Sequence, residues 1–505
     1  MCGSAHDAFL PLEQANSAVP DARLDDLCIN TVRTLAMDAV QAAESGHPGT
    51  PMALAPLAYV LWTRHAKHNP ADPHWPDRDR IVISCGHASM LLYSALHLSG
   101  YDLPLEQIRR FRQWGSLTPG HPEYGHTPGV EMTTGPLGQG LATAVGMAIA
   151  ERHMAAAFNR PDHTIVDHTT WVIASDGDLM EGISHEAASL AGHFGLGKLI
   201  VFFDDNSITI DGRTDLTCSD DVASRFGAYG WHVQAVADIN DLPALDAAVE
   251  GARTDTDRPS WIIVKSIIGF GSPNRADNSK AHGEPLGAAE IALAKEQLHW
   301  RYKEPFTVPD EARAEWGKAK ERGASVHDRW RRALIAYSKA NPDSAKEFGR
   351  RVQRDLPGGW DRALPVFTEA NGAVASRVAS GAVVNALAPV IPELIGGSAD
   401  LAGSNNTAIK GTPYFSRTSA GPVRRPLTGS RTVTRSPTSC RRSLSLVTRV
   451  TSYPSAAAFT ATLPRMSSAS SPGTYRAGMR SPSRKRRMYG IWRMKDSGVS
   501  GRLAL

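Results

Sequence analysis

The sequence predicts an α/β protein with a doubly wound parallel sheet. Two apolar runs, at residues 171–174 and 199–203, have the length of buried strands. Between them, residues 180–194 carry apolar side chains at helical spacing, which indicates a strand, a crossover helix and a parallel strand. Further short apolar runs continue this alternation at residues 80–84, 231–236 and 260–265.

Two helices frame the first part of this sheet. The apolar positions of residues 30–45 fit a helix that stops at Gly46 and Pro48, which are both poor helix formers. A glycine-rich loop at residues 133–140 precedes a helix at residues 141–157, where the small side chains permit close approach of another element.

The pattern changes along the chain, so we expect several segments. A charged helical stretch at residues 312–348 contains Pro342, and a helix at 375–387 with a strand at 394–397 would begin a second α/β domain. The predicted segments are a loose leader (1–24), a first α/β domain (25–300), a helical connection (301–361), an incomplete second domain (362–415) and a basic tail (416–505).

The charge is distributed unevenly over the 505 residues. The net charge is +4, but residues 401–505 hold 19 of the 55 basic residues and one of the 51 acidic residues, Asp496. The tail is rich in Arg, Ser, Thr and Pro, has no stretch that would form a core, and is predicted to be disordered. This abrupt change is what a GC-rich gene yields when read out of frame, so we hypothesise a frameshift near residues 416–422.

The cysteines and the apolar runs predict a cytoplasmic protein. The five cysteines are scattered, without a CxxC pair. No apolar run approaches the length of a membrane span, and the first residues lack the pattern of a secretory signal. We therefore expect no membrane association.

Asp176, followed by Gly177, and Asn206 each stand at the end of a predicted strand. The carboxyl ends of parallel strands share one edge of a sheet, so these side chains should lie close together. A carboxylate, an amide oxygen and a backbone carbonyl suit Mg²⁺ or Ca²⁺, with water and phosphate oxygens completing the shell. The pair therefore indicates a metal–diphosphate site, although each residue alone could be an ordinary turn residue.

Four histidines, His47, His87, His121 and His282, occur in loops beside glycine or proline. Such loops turn sharply and can present the ring outward, although a single histidine there could equally well bind a neighbouring carbonyl. Imidazole titrates near neutrality, so several rings around one cavity would suit an anionic cofactor and proton transfer on a sugar.

Seven motifs then occur in a familiar order: SGHPG, TPGHPE, TTGPLGQG, SDGDLMEGISHEA, DDNSITIDG, IGFGSPN and GGSADLAGSN. With them, residues 30–405 resemble the transketolase family of thiamine-diphosphate enzymes. The resemblance implies transfer of a two-carbon ketol unit from a ketose phosphate to an aldose phosphate in the non-oxidative pentose phosphate pathway. It also implies thiamine diphosphate, a divalent cation such as Mg²⁺ or Ca²⁺, sugar-phosphate substrates and a homodimer.

The resemblance assigns roles to individual residues. The implied metal ligands are Asp176, Asn206 and the backbone carbonyl of Ile208. The implied cofactor contacts are His87, Gly135, Pro136, Leu137, Gly177, Asn206 and His282. The implied substrate contacts are His47, His121, His282, Arg377 and Ser404, of which His47 and His282 are the expected catalytic groups. Glu181 and Glu186 match acids near the dimer contact.

The resemblance ends after Phe415. The family's catalytic glutamate lies in a REH motif shortly after GGSADL, and no acid follows here until Asp496. We therefore expect little or no ketol transfer by this chain. Two alternatives stay open: a dihydroxyacetone synthase, which uses formaldehyde as acceptor, and nucleic-acid binding by the basic tail, which lacks interleaved aromatic residues.

Overall fold

The computed structural model describes residues 22–398 and 400–420. The helices are α1 (Ala22–Ala42), α2 (Gly49–Val60), α3 (Ser89–Leu98), α4 (Leu105–Arg109), α5 (Gln139–Phe158), α6 (Asp176–Leu179), α7 (Gly182–Phe194), α8 (Val222–Ala228), α9 (Leu242–Thr254), α10 (Ala288–Gln297), α11 (Asp310–Ala340), α12 (Pro342–Val352), α13 (Ser376–Leu387) and α14 (Ala402–Asn405). The strands are β1 (Arg80–Ile83), β2 (Thr170–Ser175), β3 (Leu199–Asp205), β4 (Ile208–Thr209), β5 (Gly212–Arg213), β6 (His232–Val236), β7 (Ser260–Lys265), β8 (Phe415–Ser416) and β9 (Ser419–Ala420).

Five of these strands form one parallel sheet in the order β1-β2-β3-β7-β6. In the register, Ile173 of β2 lies opposite Ile83 of β1 and Phe202 of β3. The chain moves outward from β1 to β3, continues to the edge strand β6 and returns to β7. The predicted parallel α/β fold is confirmed.

Side chains that alternate along each strand enter two separate cores. Trp171 and Ile173 of β2 face a core shared with α1, α2, α3 and α9. Val172 and Ala174 face the opposite core, shared with α5, α7 and α8. Fully burying one large apolar side chain contributes about 1.5–3 kcal/mol, so both layers of helices are held firmly on the sheet.

The first helix is longer than predicted at its amino end. Helix α1 begins at Ala22, within the predicted leader, because the buried Cys28 and Ile29 extend its apolar stripe towards the amino terminus. The rest of the leader, residues 1–21, lies outside the described residues. The predicted helix at 180–194 is also modified, since the short helix α6 precedes α7 and ends at Leu179.

The strand predicted at residues 394–397 is wrong. These residues form no regular strand, and within the described part of the chain no other strand lies beside them to supply hydrogen bonds. Nearby apolar side chains remain open to solvent, with Val378 49% and Leu401 55% exposed. A buried strand requires a neighbour and a covered face, and the described residues provide neither.

The tail prediction is also wrong for its first five residues. Strands β8 and β9 form an antiparallel hairpin, and its Phe415 ring packs 4.8 Å from the Phe194 ring. The Arg152 guanidinium lies 5.3 Å from the Phe415 centroid and donates to the Ser416 carbonyl at 3.1 Å. These contacts order residues 416–420. The remaining predicted tail, residues 421–505, lies outside the described residues.

The described cysteines are free thiols: Cys28 and Cys85 are buried and Cys218 is half-buried. Cys2 and Cys440 lie outside the described residues. Among the helices that the structure describes, none is both long enough and apolar enough to cross a membrane.

Two glycines of α11 provide a matched test of the packing. A Cβ at Gly323 would lie 2.0 Å from the His68 carbonyl oxygen, whereas a Cβ at Gly317 would meet nothing within 4 Å. We expect Gly323→Ala to lower the free energy of unfolding by about 1–3 kcal/mol, because the helix must move away. Gly317→Ala should raise it by up to about 1 kcal/mol through helix propensity. Urea denaturation measures both, and effects of the same sign would contradict this packing.

Candidate functional site

Four neighbouring strands end at one edge of the sheet, and the loops that follow them form the site. Strand β1 leads to His87, β2 to Asp176, β3 to Asn206, and β7 to the long loop that carries His282. This arrangement agrees with the prediction that Asp176 and Asn206 lie at the same edge of the sheet.

Asp176 has one carboxylate oxygen without a partner. Its Oδ2 atom is buried and has no hydrogen-bond partner among the described residues. Burial raises the pKa of this carboxyl to about 7, and the neighbouring Asp204 and Asp205 add to the rise. The Ser207 N–H and the Lys265 charge oppose that rise, but they leave Oδ2 without a partner, and a bound cation would supply one.

The amide of Asn206 is held in a fixed orientation. Its Nδ2 donates to the Asp204 carboxylate at 2.7 Å, and its Oδ1 accepts from the Ile208 N–H at 2.9 Å. That oxygen keeps a second lone pair for another partner. Within the described residues, no three His, Cys, Asp or Glu side chains group as a metal site. The donors present are therefore a carboxylate, an amide and backbone carbonyls, which fit a hard divalent cation.

Glycine lets the His87 loop touch the glycine-rich loop. A Cβ at Gly86 would lie 2.7 Å from the Gly135 nitrogen, so the two backbones could not approach this closely with a larger residue. Gly135 has φ +148°, a conformation that favours glycine, and it packs beside the His121 ring. Pro136 is exposed and Leu137 is half-buried. Leu137 also packs near Gly177, where a Cβ would meet it at 3.0 Å.

The four predicted histidines come together in one cluster. The His47 ring lies 5.2 Å from His87, 5.7 Å from His282 and 6.2 Å from His121, measured between ring centroids. The rings of His87 and His282 stack at 4.9 Å.

Burial keeps these rings neutral. It lowers the pKa of His47 to about 4, with His282 and Arg112 adding to the effect, and it lowers the pKa of His87 well below the usual value. The buried atoms His87 Nε2 and His282 Nδ1 have no partner within the described residues. A neutral imidazole offers one donor and one acceptor, so these free atoms can hydrogen-bond a ligand.

Arg112 lies in the cluster, although the sequence analysis did not single it out. Its guanidinium donates to Ser45 Oγ at 2.8 Å and lies 3.4 Å from His47 Nδ1. It forms no ion pair with an acid among the described residues. No local sequence pattern marks it, because its backbone has φ +60° in an irregular loop.

Asp178 was also missed. It is fully buried, and its carboxylate accepts hydrogen bonds from Ser84, Ser175 and Gly138. A signal was available: Ser175 and Asp178 have the spacing of a capping box, which the structure forms at the start of α6.

Four residues named from the resemblance lie apart from the cluster. Arg377 and Ser404 are exposed, and within the described residues no hydrogen bond or ion pair joins either to the histidines. Glu181 and Glu186 are exposed around the start of α7. Their roles stay predictions.

The chain matches known proteins over most of its described length. Residues 24–357 match the family model described as transketolase, thiamine diphosphate binding domain. The chain is 55% identical over 394 residues to a transketolase of Halalkalibacterium halodurans, and 54% identical over 396 residues to transketolase 1 of Escherichia coli. Each match covers 78% of this chain and 59% of the relative, so the chain spans about three fifths of their length.

Solved structures show the same similarity. A Pichia stipitis transketolase in complex with sedoheptulose 7-phosphate matches with a TM-score of 0.74 at 46% identity, over 77% of this chain and 57% of that one. A Leishmania mexicana transketolase matches with a TM-score of 0.76 at 44% identity, over 79% and 59%. With its parallel fold, its acid–amide pair at one sheet edge and a family match that covers most of the described residues, this chain belongs to the transketolase family.

Proposed function

We propose that this chain is a transketolase-type transferase whose described residues form the diphosphate-binding part of the site. The observation that carries the proposal is that Asp176, with its unpartnered Oδ2, and a cluster of four histidines lie at the same edge of the sheet. The reaction is two-carbon ketol transfer between sugar phosphates. Thiamine diphosphate, when bound, supplies the nucleophilic carbon and the electron sink.

Asp176, Asn206 and the Ile208 carbonyl would hold a divalent cation, Mg²⁺ or Ca²⁺. The unpartnered Asp176 Oδ2 and the fixed Asn206 amide support this assignment. Gly177 and Asn206 would contact the diphosphate. Residues 135–137 (Gly135, Pro136 and Leu137) would lie against the cofactor rings through their backbone.

The histidines would bind and orient the substrate. Because the rings are neutral, each can donate to one oxygen and accept from another. His87 and His282 would face the cofactor, and His47, His121 and His282 would hydrogen-bond the donor ketose. His47 and His282 would move protons on its reacting oxygens, since their free nitrogens can take up or release one.

The proposal also assigns roles to the second domain and to a partner subunit. The domain division is the predicted one, with a diphosphate-binding domain to about residue 300, a helical connection and the beginning of a second domain. Arg377 and Ser404 would hold the substrate phosphate, and Glu181 and Glu186 would lie near a homodimer contact. Their exposure leaves them available for both roles. The protein would work in the cytoplasm.

The acid that the family uses to activate the cofactor has no counterpart between Phe415 and Asp496 in this sequence. We therefore propose that ketol transfer by this chain is weak or absent, and that a frameshift near residues 416–422 is the cause. Nucleotide sequencing across codons 412–435 tests the cause: if no alternative frame encodes a REH-like stretch, the frameshift hypothesis fails.

Cofactor binding and turnover, measured separately on the full chain, test the function. We expect thiamine diphosphate to bind in the presence of Mg²⁺ and turnover of ketose and aldose phosphates to be near background. Failure to bind the cofactor would refute the proposed site. Turnover equal to that of a full-length relative would refute the proposed deficiency, and a preference for formaldehyde over ribose 5-phosphate would favour the dihydroxyacetone synthase alternative.

Asp176→Asn tests the metal end of the site. The variant removes a negative charge without changing the side-chain shape, so we expect Mg²⁺-dependent thiamine diphosphate binding to weaken by about 10-fold or more. The free energy of unfolding of the ligand-free chain should stay equal or rise, because the fold disfavours the charged form of this carboxyl, as its raised pKa shows. Calorimetric titration and urea denaturation measure the two effects. Asp162→Asn is the control, because Asp162 lies on an exposed turn that precedes β2. Unchanged cofactor affinity in Asp176→Asn would contradict the assignment of Asp176 as a metal ligand.

The half-buried His47 should make stability depend on pH. The pKa of His47 is about 4 in the folded chain against 6.5 for an ordinary histidine, so the unfolded chain takes up the proton first. The free energy of unfolding should therefore fall as the pH drops from about 6.5 to about 4. His47→Asn should reduce this fall, as measured by denaturation across that range. The exposed His74→Asn is the matched control, and an unchanged pH dependence in His47→Asn would show that the ring is not buried in the neutral form.

A further inference from the structure

We infer that Asp178 is a positioning residue that holds the loops of the proposed cofactor site in register. The inference rests on the proposed function for the ligand, but its structural basis is a set of hydrogen bonds. The Asp178 side chain is completely buried at the start of the loops that follow β2. It does not reach solvent and is not among the proposed metal or cofactor contacts.

Three segments donate to its carboxylate. Oδ1 accepts from the Ser84 hydroxyl at 2.7 Å, where β1 leads into the His87 loop, and from the Gly138 N–H at 2.8 Å, in the glycine-rich loop. Oδ2 accepts from the Ser175 N–H at 3.0 Å, at the end of β2. One carboxylate therefore joins the loops that carry His87, residues 135–137 and Asp176.

The network extends into two helices. The Ser84 hydroxyl oxygen accepts from the Leu141 N–H at 2.9 Å, which attaches the first turn of α5. The Asp178 backbone carbonyl accepts from the Ser184 hydroxyl in α7. Hydrogen bonds to an ionised acceptor are about twice as strong as neutral ones, so loss of this carboxylate would leave several buried donors without a partner.

Asp178→Leu, Asp178→Asn and Ser84→Ala test the inference in the full chain. We expect Asp178→Leu to speed amide exchange of Gly138 and Leu141 by about 10-fold or more and to weaken Mg²⁺–thiamine diphosphate binding by a similar factor. Asp178→Asn should show a smaller effect, because its amide oxygen can still accept from Ser84 and Gly138. Ser84→Ala should speed exchange chiefly at Leu141. Amide exchange in β6 and β7 should not change in any of the three variants.

Asp79 provides a matched control. It is also a buried acid, and it accepts from the N–H groups of Lys67 and Thr169 and from Trp171 Nε1, each at 2.9 Å, at the opposite edge of the sheet. Asp79→Leu should lower stability without altering amide exchange in residues 133–142 or cofactor affinity.

Two results would overturn the inference: equal cofactor loss in the Asp79 and Asp178 variants, or unchanged amide exchange in residues 133–142 of Asp178→Leu. If Asp178→Leu fails to fold, Ser84→Ala and Asp178→Asn decide by the same exchange measurement. If the unmodified chain does not bind the cofactor, the proposed function fails while the exchange data still decide the role of Asp178.

Discussion

Parallel pairing of β1, β2, β3 and β7 is the constraint on which the site depends. It brings four strand ends to one edge, so that residues distant in sequence, such as His87 and His282, become neighbours. The cores on the two faces of the sheet stabilise this edge from both sides. The loops add small clusters of their own, such as Ile208, Ile268 and Ala281, and the strands determine where the loops begin.

Much of this arrangement follows from the sequence, because the buried strands are short apolar runs and each polar residue at a strand end has a defined place in a parallel sheet. The sheet-edge position of Asp176 and Asn206 could be predicted in this way. Arg112 could not, since an irregular loop with a positive φ carries it into the histidine cluster and no periodicity describes such a path. The wrongly predicted strand at residues 394–397 shows a second limit of sequence patterns. An apolar run does not form a strand without a neighbouring strand to pair with.

The two ends of the site have different electrostatic characters. At one end Asp176 has a carboxylate oxygen without a partner among the described residues, and at the other the half-buried imidazoles of His47 and His87 are neutral donors and acceptors. Leaving such groups without partners costs about 1–3 kcal/mol for each buried polar atom. The surrounding core offsets this cost, and a ligand that supplies the missing partners would recover it. Under the proposed function, a ligand with a cation at one end and hydroxyl groups at the other would supply those partners.

The contact between Gly86 and Gly135 has a consequence for how such a site can change during evolution. Any side chain at residue 86 would overlap the neighbouring backbone, so this position offers almost no room for substitution. The loop that carries Arg112 and Trp114 is different, because its Trp114 side chain is 99% exposed while Arg112 contacts His47. Substitutions of Trp114 should therefore cost little stability, whereas any larger residue in place of Gly86 should displace the two loops. Sequence change should accumulate in the Trp114 loop, while the contact between Gly86 and Gly135 stays as it is.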